Sequence, residues 1–147
     1  MVQAVDTATS TGALMVFMTS PCFDSGEQNN GLPWPEDSEA RLAEYNAMVR
    51  QVAAEFPSTV EVDDFGAQLC PGGVYATSLD GVQIRDGDGV HIVPTAAAGQ
   101  WLDARVLPDV IRVGRLHMAG DQLTGVAPST TASTAGSPLL AVGQGHP

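Results

Sequence analysis

The stretch Ala13-Leu14-Met15-Val16-Phe17-Met18 is six apolar residues in succession, closed by Thr19-Ser20-Pro21. A strand with one wet face alternates apolar and polar residues. An unbroken apolar run of this length instead fits a strand buried on both faces, as in a parallel sheet. Downstream, Leu42, Tyr45, Val49, Val52 and Phe56 recur at three and four residues between Ser38 and Phe56. That spacing predicts an amphipathic helix with one apolar stripe, stopped by Pro57. Val60-Glu61-Val62-Asp63 then alternates and reads as a second, shorter strand. Strand, helix, strand is the order of an α/β unit, in which functional loops gather at the carboxyl ends of parallel strands.

The rest of the chain attaches to this unit. Residues 1–12 are small and polar, a frayed lead-in or the end of a preceding helix. Residues 22–37 form a loop that is long for a compact domain, with Asn29-Asn30-Gly31 and Pro33-Trp34-Pro35 as turn signals. Trp34 has two readings, a substrate-facing aromatic or a lid packed on the core, and packing is expected. Tyr75 to Ile84 is ambiguous between a short strand and an irregular excursion around Asp80-Gly81. Pro94 to Leu107 predicts a second helix, with Ala97, Ala98, Trp101, Leu102 and Val106 on one face and Pro108 as its stop. Two convincing strands are few for a complete parallel sheet, so the unit reads as the back half of a domain.

Composition narrows the function. The chain has 147 residues and a formal charge of −11, with 17 acidic side chains against six arginines and no lysine. Nucleic acid is excluded as a partner, because phosphate contacts need a basic patch that six scattered arginines do not supply. No secretory signal and no transmembrane segment is expected, since Ala13–Met18 is the longest apolar run near the N-terminus. Cys22 and Cys70, 48 apart, are either one disulfide or two small buried residues. A zinc site joining them to His91 or His117 lacks paired spacing such as C-x-x-C, so no metal and no cofactor is expected.

Arg85-Asp86-Gly87-Asp88-Gly89-Val90-His91 carries the candidate chemistry. Its glycines allow a sharp turn on either side of Asp88, and a carboxylate three residues before a histidine can orient the imidazole. Asp88 would accept from one ring nitrogen and leave the other free to take a proton. A calcium loop fails on spacing, because the glycine is misplaced and no glutamate stands at the twelfth position.

Asp88-Gly89-Val90-His91, followed by Pro94-Thr95 and a helix ending in Trp101-Leu102, resembles the last conserved block of the SGNH (GDSL-type) hydrolases. The upstream pieces resemble the form of that domain fused to bacterial membrane acyltransferases that decorate cell-surface polysaccharides. They are the strand entering Thr19-Ser20-Pro21-Cys22, the helix with Tyr45-Asn46, the Val60-to-Asp63 strand, and Leu69-Cys70-Pro71-Gly72-Gly73. The resemblance implies a partial three-layer α/β/α, flavodoxin-like parallel sheet. Residues 10–115 would be the C-terminal portion of the domain, and 118–147 a low-complexity, disordered tail.

It further implies a Ser-His-Asp triad in which His91 is the general base and Asp88 its orienting acid. The substrate would be an acylated carbohydrate or small ester, with a membrane acyltransferase domain as the partner in the full-length protein. An extracytoplasmic setting follows from the resemblance, and with it a Cys22–Cys70 bridge.

The departures are equally specific. No Gly-Asp-Ser occurs; the nearest string, Gly120-Asp121-Gln122, follows the histidine and has glutamine in the nucleophile's place. None of Ser10, Ser20, Ser25, Ser38, Ser58 and Ser78 stands in a nucleophile-like context, and Asn29, Asn30 and Asn46 lack the neighbours of an oxyanion-hole asparagine. These parts act as a unit, so the fragment alone is expected to be nearly inert. Two functions are therefore carried forward: the Asp-His part of a serine esterase or O-acyltransferase, and a non-catalytic envelope protein binding a glycan through the Trp34 loop.

Overall fold

Residues 1–124 are described by the computed structural model. The chain opens with helix α1 (Val2–Thr9), strand β1 (Met15–Met18), the 22–37 loop with one 3-10 turn, and helix α2 (Glu39–Glu55). Strand β2 (Val60–Asp63), short helix α3 (Phe65–Leu69), strands β3 (Ser78–Leu79) and β4 (Val82–Gln83), and helix α4 (Ala96–Ala119) follow. The fold is mixed α/β with a small parallel sheet.

β1 and β2 pair in parallel, Met15 opposite Val60 through Met18 opposite Asp63. Parallel neighbours need a long crossover, and α2 supplies it. On one face Met15, Phe17 and Val62 pack around a buried cluster of Val60, Val52 and Ala53 from α2, and Val5 from α1. Residues 1–12 are thus no frayed lead-in; Val5 is fully buried. On the other face Glu61 is bonded to Arg112 of α4. Val16 and Met18 lie on this second face by alternation. The expectation that β1 is buried on both sides is corrected here. Met15, Val16 and Phe17 are half-buried and Met18 is 38% exposed. Only one strand flanks β1 among the described residues, so its second edge has no sheet to bury it.

A second cluster lies beyond the strand ends: Leu69, Cys70, Ile84, Val93, Ala98 and Trp101, with Cys22, Leu79 and Val82 against it. Cys22 and Cys70 form a disulfide. The 75–84 segment resolves as a hairpin, Ser78 opposite Gln83 and Leu79 opposite Val82. Asp80 and Gly81 both have positive φ, 52° and 79°, which matches the right-handed twist of a two-residue hairpin loop. The Asp80 carboxylate then accepts from Trp101 Nε1 at 3.0 Å and from Arg105, pinning the hairpin to α4.

Both long helices depart from expectation in detail. In α2 the buried residues are Val49, Val52 and Ala53, while Tyr45 is 42% exposed. α4 begins at Ala96, with Thr95 as its cap accepting from Ala98 N at 3.2 Å, and it runs through Pro108 rather than stopping there. Tertiary contacts hold the second half. Val113 is buried, Arg112 reaches Glu61, and Leu123 N donates to Ser58 O beyond the helix end. Residues 118–124, read from the sequence as the start of a tail, therefore include the last turn of α4 and a buried Leu123. The remainder of the expected tail, 125–147, lies outside the described residues.

Candidate active site

The loop between β4 and α4 is closed at its base by an antiparallel bridge between Arg85 and Ile92. Asp86 N donates to His91 O at 2.8 Å, and Gly89 N to Asp86 O at 3.2 Å. Glycine is required at the tip. Gly89 has φ 73°, and a Cβ there would stand 1.8 Å from the Asp24 carbonyl oxygen. That close approach lets Asp24 N donate to Gly89 O at 3.2 Å, which fastens the 22–37 loop to this one.

Within the loop Asp88 and His91 meet as the three-residue spacing predicts. His91 Nδ1 lies 2.6 Å from Asp88 Oδ2. The other carboxylate oxygen, Oδ1, accepts from the backbone N–H of Val90 and of His91, both at 2.9 Å. These bonds hold the Asp88 carboxyl far below the usual range, the His91 side chain contributing most. The same hydrogen bond, then the Asp88 charge, raises the His91 pKa above the ordinary imidazole value, and Asp86 adds to it. His91 Nε2 makes no hydrogen bond among the described residues, and the side chain is 77% exposed. The arrangement is an oriented imidazole with one nitrogen committed to a carboxylate and the other open to solvent. Asp86 serves the turn instead, accepting from Gly87 N at 2.7 Å.

Arg85 lies beneath the loop, 2% exposed. Its NH1 donates to Val90 O at 2.7 Å and its NH2 to Cys22 O at 3.0 Å. The guanidinium carbon stands 5.8 Å from the ring centres of both Phe23 and Tyr75. Desolvation lowers its pKa, with the Tyr75 and Asp88 charges opposing. Arg85 opens the stretch singled out in the sequence, but no role for it is readable there, because its partners lie up to 63 positions away.

Among the described residues no serine or asparagine candidate is hydrogen-bonded to the His91 ring. Ser25 Oγ donates to Asp37 at 2.9 Å, and Ser20 Oγ donates to Pro21 O at 3.3 Å. Asn46 is a clamp on the end of β1, accepting from Ser20 N at 2.8 Å and donating to Ser20 O at 2.9 Å. No group of three metal-ligating side chains is found among the described residues. Trp34 does not pack on the core as expected; it is 42% exposed, beside Leu32 at 59%. The 22–37 loop is tied to itself by Gln28 N and Gln28 Nε2, which donate to Leu32 O and Pro33 O, so the tryptophan is carried on its outer side. A cavity of about 110 Å³ is lined by Phe23, Leu42 and Tyr75, with the carboxylates of Glu36, Asp37 and Glu39. A larger open groove of about 570 Å³ follows the C-terminal half of α4 and includes neither Asp88 nor His91.

No protein-family model matches this chain, and no curated protein and no solved structure matches it. Among the described residues no helix is long and apolar enough to cross a membrane. The disulfide fits an oxidising compartment.

Proposed function

We propose that this chain is the Asp-His-bearing C-terminal portion of an SGNH-type serine esterase or O-acyltransferase acting on acyl esters, acetyl above all, of cell-envelope carbohydrate. The observation that carries the reading is the 2.6 Å contact between His91 Nδ1 and Asp88 Oδ2, with Nε2 free. In the proposed reaction Nε2 takes the proton of a serine hydroxyl as the serine oxygen attacks the ester carbonyl. The imidazolium, stabilised by Asp88, then returns that proton to the departing alkoxide. Water or a sugar hydroxyl, deprotonated by the same nitrogen, attacks the acyl-enzyme and frees the serine.

The nucleophile would come from a Gly-Asp-Ser block outside these 147 residues. The helix α2 on one face of the sheet and the α4 contact on the other are the supporting pieces of a three-layer α/β/α, flavodoxin-like domain. The apolar, half-exposed β1 would be an interior strand of its completed sheet. The disulfide supports an extracytoplasmic address, next to a membrane acyltransferase domain in the full-length protein.

The test is hydrolysis of a small activated acetyl ester by this chain and by a form extended upstream through a Gly-Asp-Ser block. Activity confined to the extended form, and lost in His91→Ala, is expected. Activity in neither form would contradict the reading.

The exposure of Trp34 and Leu32 favours a second reading, a non-catalytic SGNH-type fold that binds a glycan on the 22–37 loop. An aromatic face presented to solvent on a tied loop suits stacking against a sugar ring. Quenching of tryptophan fluorescence by envelope oligosaccharides, lost in Trp34→Ala, would favour this alternative if no esterase activity is found.

A further inference from the structure

We propose that Arg85 is a positioning residue for the Asp88–His91 pair, fixing where the pair stands by joining the loop that carries it to the disulfide-held backbone at Cys22. The inference rests on the reading of that pair as the proton-transfer group, but its test needs neither a serine nor an ester.

The pair itself has little to hold it. Asp88 and His91 are both exposed, and Gly87 and Gly89 remove side-chain packing on either side of Asp88. The contacts of Asp88 Oδ1 with Val90 N and His91 N set the local shape of the turn, yet they all lie inside it and cannot fix it against the body of the protein. Two connections reach outward from the tip. One is the Asp24 N to Gly89 O bond at 3.2 Å. The other is the Arg85 fork, which grips Val90 O at 2.7 Å and Cys22 O at 3.0 Å with its two terminal nitrogens.

The guanidinium geometry suits this task. A planar group with separate NH donors can hold two carbonyls at once, and a lysine ammonium cannot do so with the same rigidity. Phe23 and Tyr75 flank the group at 5.8 Å and restrict its movement. Cys22 is in turn held to Cys70, a buried member of the second core cluster. The chain of contacts thus runs from core to disulfide, to the Cys22 carbonyl, to Arg85, to Val90, and ends one residue before His91. A buried cation with no carboxylate in salt-bridge contact is costly, and an apolar side chain would fill the space at lower cost. The position is best explained by what the fork holds.

The readout is the imidazole titration of His91 by NMR, with the disulfide intact. The charged groups around His91 are Asp88 and Asp86 on its own loop, Asp24 on the facing loop and Arg85 below. The signal of His117, near the far end of α4 with its Nδ1 3.1 Å from Gly12 O, reports whether the fold is intact. In Arg85→Lys, which keeps the charge but not the fork, the His91 midpoint is expected to move down from its wild-type position, in the direction that Asp88→Asn moves it. Arg85→Met also removes a nearby positive charge, which opposes that shift, so the lysine variant decides. Because both changes act on one pair, adding Asp88→Asn to an Arg85 variant should then shift it little further.

The wild-type protein supplies a check that needs no variant. The Arg85 guanidinium protons should appear as separate, slowly exchanging signals. A His91 midpoint unchanged in Arg85→Lys, a joint collapse of the His91 and His117 signals, or rapidly averaged guanidinium protons in the wild type would each overturn the proposal.

Discussion

Asp63 shows at the scale of one residue what burial does to a carboxyl. It ends β2, is 1% exposed, and has Oδ1 bonded to Gln68 Nε2 at 3.0 Å while Oδ2 has no partner. Desolvation raises its pKa, and the charges of Asp109, Asp64 and Glu61 raise it further. A carboxyl whose folded pKa lies above its unfolded value is destabilising once ionised. Stability therefore falls as pH rises from about 4 through the folded value. Asp63→Asn keeps the shape and removes the charge, so it should raise stability at neutral pH and flatten that slope, as urea midpoints across pH would show. The exposed Asp88–His91 pair behaves oppositely at its two ends. Its stabilisation fades as pH rises through the raised His91 pKa, and also as pH falls through the lowered Asp88 pKa. Gly89→Ala should cost more than about 2 kcal/mol in denaturant unfolding, because a left-handed residue is strained and its Cβ meets the Asp24 carbonyl. The Asp88–His91 contact was legible in sequence because both partners sit within one short turn. Arg85 was not, since the carbonyl at Cys22 becomes its neighbour only after the chain has folded.

Among the elements, α4 carries the clearest lesson. Pro108 lacks the N–H that would bond to the Ala104 carbonyl, and local rules end the helix there. The helix continues to Ala119 because its second half is held by Val113, by the Arg112–Glu61 bond and by contacts past Gly120. Pro108→Ala should restore the missing donor and raise stability by about 1–3 kcal/mol, read as an increase in Tm. The parallel pair and its crossover helix were legible because apolar runs and three-to-four spacing are properties of contiguous sequence. The Asp80-Gly81 hairpin carried a signal that was available, a strong two-residue turn pair, but β3 and β4 are only two residues long each and show no alternation. Full burial of β1 failed for a different reason. An apolar strand states what it can bury, while what covers it depends on neighbouring strands.

Over the whole molecule, the apolar residues form two clusters, and the one covalent cross-link lies within the second of them. The Cys22–Cys70 bridge spans 48 positions, and in the chain-entropy account closing such a loop stabilises the folded state by about 4 kcal/mol. Replacing both cysteines with alanine should lower the denaturation midpoint accordingly, against an oxidised control. The bridge also holds the start of the 22–37 loop, which meets the Asp88–His91 loop through the Asp24 N to Gly89 O bond and through Arg85. A general base works when deprotonated, and His91 holds its proton more tightly than a free imidazole because of Asp88. The most direct measurement is therefore the pH dependence of kcat/KM for acetyl ester hydrolysis by the protein extended through a Gly-Asp-Ser block. A rise centred above about pH 6.5, absent in His91→Ala, is the predicted result. A profile flat through that range, or one that His91→Ala leaves unchanged, would contradict His91 as the base.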